Sequence, residues 1–143
     1  QLAHLSGGRP IRPRPPEDLD IPRITYSSPQ LASVGLTREQ AAATGGCEVS
    51  DFDLRGNARA LMLAPGDRDA GLVRVIRRPG GALVGVHLVG EDIAELIAEG
   101  TLMVGWQATP DDVKDLIHPH PSLSEALAEA NLTLAGSALH MHA

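Results

Sequence analysis

Residues 117–130, IHPHPSLSEALAEA, combine the side chains best suited to moving a proton. His118 and His120 each precede a proline, and Glu125 follows His120 by five positions. An imidazole that donates one ring N–H to a carboxylate is held in one tautomer, which leaves its other nitrogen free to act as a base. These residue types therefore permit an acid–base pair, provided that the backbone brings them together.

The spacing allows His120 and Glu125 to meet only if His120 lies outside the helix. On one continuous helix they would point about 140° apart. Pro121 biases His120 away from helical angles, and side chains in a first helical turn lean back toward the N-terminus. A carboxylate at position 125 is then aimed at the loop that carries His120.

A capping box explains the same glutamate without any chemistry. Ser122 would cap the helix with its hydroxyl, and Glu125 would accept the backbone N–H of Ser122. Because both hypotheses use the same carboxylate, the spacing alone does not separate them.

A metal site is the third interpretation, with His118 and His120 as one pair and His140 and His142 as a second. Alternating histidines on extended backbone point in opposite directions. No cysteine or carboxylate cluster completes four ligands at a zinc spacing. We therefore expect no bound metal.

The elements that must position this stretch follow from apolar periodicity and turn residues. Strands are predicted at residues 22–28, 47–54 and 58–64, and a hairpin at 71–90, joined by Arg-Pro-Gly-Gly. Helices are predicted at residues 37–45, 91–106, 109–117 and 122–136, the first with Thr37 and Gln40 as a capping box. Strands come first and helices last, which predicts an α+β fold: an antiparallel sheet with helices packed on one side.

Composition narrows the possible functions of these 143 residues. The net charge of −6 argues against a nucleic-acid partner. No apolar run approaches the roughly 18–20 residues that span a bilayer, and QLAHLSGG is not typical of a secretory signal. We therefore expect a cytoplasmic protein with no membrane partner. Cys47 is the single cysteine, and no glycine-rich nucleotide-binding motif is present.

The first twenty residues differ in composition from the rest of the chain. The segment GGRPIRPRPPEDLDIP is rich in proline, glycine and arginine, which is typical of an extended linker. We expect residues 1–20 to be the tail of a preceding region and its linker, and residues 21–143 to form the domain proper.

Three blocks in order resemble the C-terminal dimerisation (interface) domain of the pyridine nucleotide–disulfide oxidoreductases. HPHPSLSEALAEA is similar to the family signature His-x-His-Pro-Thr-x-Ser-Glu, with Ser122 in place of its threonine. IPRITYSSPQLASVGLTREQA resembles the block that opens the domain, and GVHLVGEDIAELIAEGTLMV a segment between them. The resemblance covers residues 21–135, and the dihydrolipoamide dehydrogenase branch is the most similar.

The resemblance implies a role for each residue of the signature. His120 would be the acid–base residue and Glu125 the group that orients it, acting in the active site of the other subunit of a homodimer. There the pair would take a proton from a dihydrolipoyl dithiol, whose thiolate attacks a redox-active disulfide beside FAD, with NAD as the final acceptor. A cis bond would join His120 to Pro121, and these two residues would approach the flavin of the partner.

The chain also departs from the complete enzyme of that family. It contains no FAD domain, no NAD domain and no redox cysteine pair, so the isolated fragment is expected to be inactive and to bind neither cofactor. A dimerisation module without catalytic duty, or another disulfide reductase of the same family, remains an alternative function.

Overall fold

The structure is a computed structural model that describes Leu19, residues 21–63, Gly66 and residues 70–137. The predicted linker lies outside these residues except for Leu19, and so do His4, His140 and His142. No helix among the described residues has the length and apolar character needed to cross a membrane.

Within the described residues, the strands form one antiparallel sheet in the order β1-β2-β5-β4-β3. They are β1 Arg23–Thr25, β2 Gln30–Gly35, β3 Glu48–Asp53, β4 Gly71–Arg77 and β5 Leu83–Gly90. Strands β4 and β5 are the predicted hairpin, and Val86 of β5 lies opposite Val34 on one side and Val75 on the other. The period of two places these valines on one face, which is buried.

The helices of the described chain are α1 Arg38–Ala43, α2 Ala58–Leu63, α3 Ile97–Gly105, α4 Pro110–Val113 and α5 Glu125–Leu134, with 3₁₀ turns at Leu54–Gly56 and Ala94–Leu96. Helix α3 contacts β2 and β5, and α5 contacts β3 and β4, so the two longest helices share one face of the sheet. The predicted α+β fold is confirmed.

A glycine lets α3 approach the sheet closely. Gly100 is buried, and a Cβ atom there would stand 3.1 Å from the Val86 side chain. Leu127 and Ala130 of α5 complete the same core. The core thus fixes α5, which directly follows the residues of the histidine stretch, and α3, whose Glu99 contacts His118.

The strand predicted at residues 58–64 is wrong, because residues 58–63 form α2. Asn57 caps this helix, since its Oδ1 accepts the backbone N–H of Ala60 at 2.9 Å. Only Ala60 is buried within α2, whereas Leu61 and Met62 are exposed. The apolar letters of this segment do not mark a buried strand.

Candidate functional site

The histidine stretch lies in an irregular loop, residues 114–124, between α4 and α5. Thr109 is the N-cap of α4 and forms a complete capping box with Asp112. The peptide bond between His120 and Pro121 is cis, as the family resemblance implies. His120 is therefore outside the helix, which is the arrangement that the acid–base hypothesis requires.

His120 and Glu125 form a hydrogen-bonded pair in this loop. The Nδ1 atom of His120 lies 2.8 Å from Oε1 of Glu125. The His120 side chain is 75% exposed, whereas Glu125 is half-buried. Because Nδ1 faces the carboxylate, Nε2 is the ring nitrogen available to a group from outside the domain.

The Glu125 carboxylate also forms half of the predicted capping box. Oε2 of Glu125 accepts the backbone N–H of Ser122 at 2.8 Å, while Oε1 faces His120. The two hypotheses about Glu125 are therefore not alternatives, because one oxygen serves each.

The other half of the predicted capping box, in which the Ser122 hydroxyl caps the helix, is wrong. Helix α5 begins at Glu125, its N-cap is Ser124, and the Ser122 hydroxyl lies 2.9 Å from the Ser124 hydroxyl instead of on the backbone. The cause is a tight turn ahead of the helix, in which Ala126 N–H donates to the Leu123 carbonyl at 3.0 Å.

The Glu125 carboxyl stays ionised over a wider pH range than an ordinary glutamate. Burial by itself would raise its pKa, but the hydrogen bonds from His120 and from the Ser122 N–H outweigh burial, and the pKa is lowered overall. An ionised carboxylate can accept the Nδ1–H of His120, which fixes the tautomer of the ring and leaves Nε2 without a proton.

His118 is not a surface residue, although histidines before a helix usually are. Its side chain is only 10% exposed, and Nε2 lies 2.8 Å from Oε1 of Glu99 on α3. The hydrogen bond to Glu99 raises the pKa of His118, although burial opposes the rise. The loop therefore carries two histidine–carboxylate pairs. The pair whose imidazole is largely buried, His118–Glu99, is called the buried pair, and the pair whose imidazole is exposed, His120–Glu125, is called the exposed pair.

Asn57 holds the loop from its other end. Its Nδ2 donates to the Ser122 carbonyl at 2.9 Å, and its side chain is almost fully buried. Sequence reasoning missed both Asn57 and Glu99 as parts of the site. Asn57 has a local signal, an N-cap residue before helix formers, whereas the contact of Glu99 with His118 spans 19 positions and has none.

No group of three or more histidine, cysteine or acidic side chains in the described ranges could hold a metal ion. His118 and His120 contact different carboxylates, Glu99 and Glu125, and do not converge. His87 is a structural residue, with Nε2 at 2.9 Å from the Leu36 carbonyl.

A small pocket adjoins the exposed pair. It measures about 130 Å³ and is lined by Phe52, Gly56, Asn57, Ala58, His120, Glu125 and Glu129. Binding sites for drug-sized ligands usually measure about 300–1,000 Å³, so this pocket is too small for a dinucleotide.

The family model for the pyridine nucleotide-disulphide oxidoreductase dimerisation domain matches residues 21–131. The match covers most of the chain, from β1 into α5, and includes the histidine loop. The chain belongs to this family of dimerisation domains.

Curated relatives specify the branch of the family. The chain is 36% identical over 141 residues to dihydrolipoyl dehydrogenase of Bacillus subtilis, which covers 97% of this chain and 28% of the relative. It is 40% identical over 129 residues to dihydrolipoyl dehydrogenase of Thermus scotoductus, covering 87% and 27%. The chain thus spans about a quarter of the length of these relatives.

Solved structures share the fold. LpdA from Mycobacterium tuberculosis matches with a TM-score of 0.81 at 24% identity, over 93% of this chain and 28% of that one. The HOCl-induced flavoprotein disulfide reductase RclA from Escherichia coli matches with a TM-score of 0.70 at 26% identity, over 78% and 25%. The fold is therefore shared beyond the dihydrolipoyl dehydrogenases.

Proposed function

We propose that this chain is the dimerisation domain of a dihydrolipoyl dehydrogenase, in which His120 is the acid–base residue and Glu125 orients it. The observation that carries the proposal is the 2.8 Å contact between His120 Nδ1 and Glu125 Oε1, with the ring three-quarters exposed. The relatives named dihydrolipoyl dehydrogenase support the choice of reaction. We further propose a cytoplasmic location, and residues 1–20 as the end of the preceding region and its linker.

His120 addresses the main chemical difficulty of the proposed reaction. A thiol with a pKa of about 8.5 is mostly protonated at neutral pH and is a poor nucleophile in that form. Nε2 of His120 would accept the proton of one substrate thiol, and the thiolate would attack a sulfur of the enzyme disulfide, forming a mixed disulfide and releasing one enzyme thiolate. The second substrate thiol gives its proton to the enzyme thiolate released in the first step, attacks the substrate sulfur of the mixed disulfide and displaces the other enzyme sulfur as a thiolate. The substrate leaves as a disulfide after giving up two electrons and two protons.

The electron acceptors belong to other parts of the enzyme. FAD and NAD, when bound, accept the two electrons, so that the complete reaction converts dithiol and NAD⁺ to disulfide, NADH and one proton. The pocket beside His120 is too small to hold either cofactor. We propose that His120 and Pro121 are the residues of this chain that approach the flavin.

A homodimer is the proposed assembly, with His120 serving the site of the other subunit. The exposed large apolar side chains include Leu102, Trp106, Leu116 and Ile117, the last 98% exposed. Leu102 lies on α3 and Trp106 directly follows that helix, whereas Leu116 and Ile117 directly precede His118. Exposed apolar side chains of this size are typical of a subunit contact.

Another flavoprotein disulfide reductase is the second candidate function, since the RclA structure shares this fold. The loop geometry fits any dithiol or disulfide substrate that needs proton transfer. Substrate turnover separates the two: dihydrolipoamide is the substrate under the first proposal and is not turned over under the second.

His120→Gln in the flavoenzyme that contains this chain tests the proposal. General acid–base catalysis contributes about 10²–10⁴-fold, and we expect kcat for dihydrolipoamide to fall by that amount. Because His120 is exposed and the Gln amide fits the same space, the thermal midpoint should stay near that of the parent. Undiminished turnover would contradict the acid–base role and leave a dimerisation module without catalytic duty.

Mixed dimers test whether His120 acts on the partner. His120→Gln subunits are combined with subunits whose redox cysteines are replaced, so that neither homodimer turns over. If His120 acts across the interface, a random mixture regains about a quarter of the parent turnover, because half of the dimers are mixed and each has one intact site. If His120 acts within its own subunit, no turnover returns.

A further inference from the structure

The proposed chemistry leaves one histidine–carboxylate pair unused. His118 and Glu99 are bound at 2.8 Å between Nε2 and Oε1, and both side chains are more buried than His120. A buried imidazole cannot reach a substrate, so this pair takes no direct part in proton transfer. The hydrogen bond between them nevertheless joins the loop to α3, and it does so at His118, two residues before His120.

The loop has few other means of holding its shape. Residues 116–119 have no regular secondary structure, and the adjacent Ile117 is almost fully exposed. Glu125 and Asn57 hold the loop at and after His120 through Ser122. On the N-terminal side, His118 is the residue whose side chain is buried and bonded to another element. Without the His118–Glu99 bond, the position of His120 would depend on the contacts of Glu125 and Asn57 alone.

Helix α3 is a firm support for such a bond. Glu99 directly precedes Gly100, whose backbone packs against Val86 in the middle of the sheet. Ile97 and Met103 of the same helix are buried in the core. The backbone at position 99 is therefore fixed relative to the sheet, and the hydrogen bond from Glu99 restricts where His118 can lie.

We propose that Glu99 and His118 are positioning residues, which tie the loop to α3 and thereby set where the His120–Glu125 pair stands. The inference rests on the proposed function of that pair. Misplacement of a catalytic group by about 1 Å costs on the order of 10²-fold in rate. Loss of the Glu99–His118 bond therefore lowers the rate of dithiol oxidation without removing any group that touches the substrate.

Glu99→Ala and Glu99→Gln in the flavoenzyme test this role against the control Glu95→Gln. Glu95 is an exposed carboxylate one helical turn before Glu99. Two activities are measured: oxidation of dihydrolipoamide by NAD⁺, and reduction of ferricyanide by NADH, which passes electrons through the flavin and needs no proton from a dithiol.

Glu99→Ala should lower kcat for dihydrolipoamide about 10–100-fold and leave ferricyanide reduction close to the parent. Glu99→Gln should restore most of that kcat, because its amide oxygen can accept the Nε2–H of a neutral His118. Glu95→Gln should match the parent in both activities. If Glu99→Ala does not fold, Glu99→Asp replaces it, since the shorter side chain withdraws the carboxylate from His118, and it should show the same selective loss.

Three outcomes overturn the inference: a parent-like kcat in Glu99→Ala or in its replacement, an equal loss of both activities, or no recovery in Glu99→Gln. His120→Gln, measured in parallel, separates this failure from a failure of the proposed function. If His120→Gln keeps its turnover, the proposed function is wrong. If only His120→Gln loses turnover, His120 keeps its role and Glu99 has none in positioning it.

Discussion

The two histidine–carboxylate pairs of the loop are alike in distance and opposite in surroundings. Each has an imidazole nitrogen 2.8 Å from a glutamate oxygen. His118 is 10% exposed and meets a carboxylate of another helix, whereas His120 is 75% exposed and meets one five positions away. The same chemical contact therefore serves a structural purpose when it is buried and leaves a nitrogen available for chemistry when it is exposed.

The two pairs also differ in the group whose pKa is shifted. Hydrogen bonding to Glu99 raises the pKa of His118, so the buried pair favours a charged imidazole that no substrate reaches. For the exposed pair, hydrogen bonds outweigh burial and lower the pKa of Glu125, so its carboxylate stays charged beside a histidine that can exchange protons. The His118–Glu99 pair thus favours a charged imidazole, whereas the proposed role of the His120–Glu125 pair is to transfer a proton.

After replacement of His120 itself, removal of Glu125 should have the largest effect, because it abolishes the exposed pair. We expect Glu125→Ala to lower turnover of dihydrolipoamide by about 10²–10³-fold, since His120 loses both its orientation and its charged neighbour. Steady-state kinetics of the flavoenzyme measures this loss. Glu125→Gln is the matched control: it keeps an oxygen for the Ser122 N–H and should still fold, losing only the stability that the charged carboxylate contributes, while also losing turnover. Turnover within twofold of the parent would contradict the pairing.

Asn57→Ala should come next, with an effect on stability. The Ser122 carbonyl loses its donor and the N–H of Ala60 loses its cap, and together these losses cost about 2–3 kcal/mol. Urea unfolding of the 143-residue chain measures the change. Asn57→Ser keeps an oxygen for Ala60 and should cost less than alanine. Equal losses in the two variants would show that the cap on the Ala60 N–H contributes nothing and that the whole effect comes from the bond to Ser122.

The pH dependence of stability should show the smallest effect, and it separates the two pairs. The folded pKa of His118 is raised above its ordinary 6.5, so its contribution is fully present below about pH 6.5 and is lost as the pH rises through the raised value. The charged groups acting on His118 are Glu99 of α3 and Glu125 of α5. His118→Gln removes the titrating group, so its stability deficit should shrink as the pH increases.

The exposed pair should behave in the opposite way. Glu125 has a folded pKa below its ordinary 4.5, so its contribution is present above about pH 4.5 and disappears as the pH falls through the lowered value. Urea unfolding of His118→Gln and Glu125→Gln between about pH 3 and pH 9 tests both windows. A deficit in His118→Gln that stays constant or grows toward alkaline pH would contradict the buried pair.

Features determined by near neighbours were predictable from the sequence. The capping box of α1 is present in both directions between Thr37 and Gln40, and β4 and β5 form the hairpin marked by Arg-Pro-Gly-Gly. The contact between His120 and Glu125 also spans only five positions, so the bias of Pro121 and the lean of a first-turn side chain indicated that the two side chains could meet, although the capping box remained an equal interpretation of Glu125.

Features determined by distant packing were not predictable in this way. The helix at residues 58–63 was missed for a different reason, because its signal, the Asn57 cap on Ala60, is local and the apolar composition of the segment suggested a strand instead. The partner of His118 lies 19 positions away on α3. Its position depends on how Gly100 seats that helix against Val86, which no local pattern contains.

The double contact of Glu125 has an entropic consequence. Its two oxygens face different partners, the ring of His120 and the backbone N–H of Ser122, so rotation about its last side-chain bond would break both contacts at once. The rotational freedom of a glutamate is therefore lost when the chain folds and not when a substrate arrives. Under the proposed function, the carboxylate that faces His120 is therefore already in position before a substrate binds, and no side chain has to be ordered during turnover.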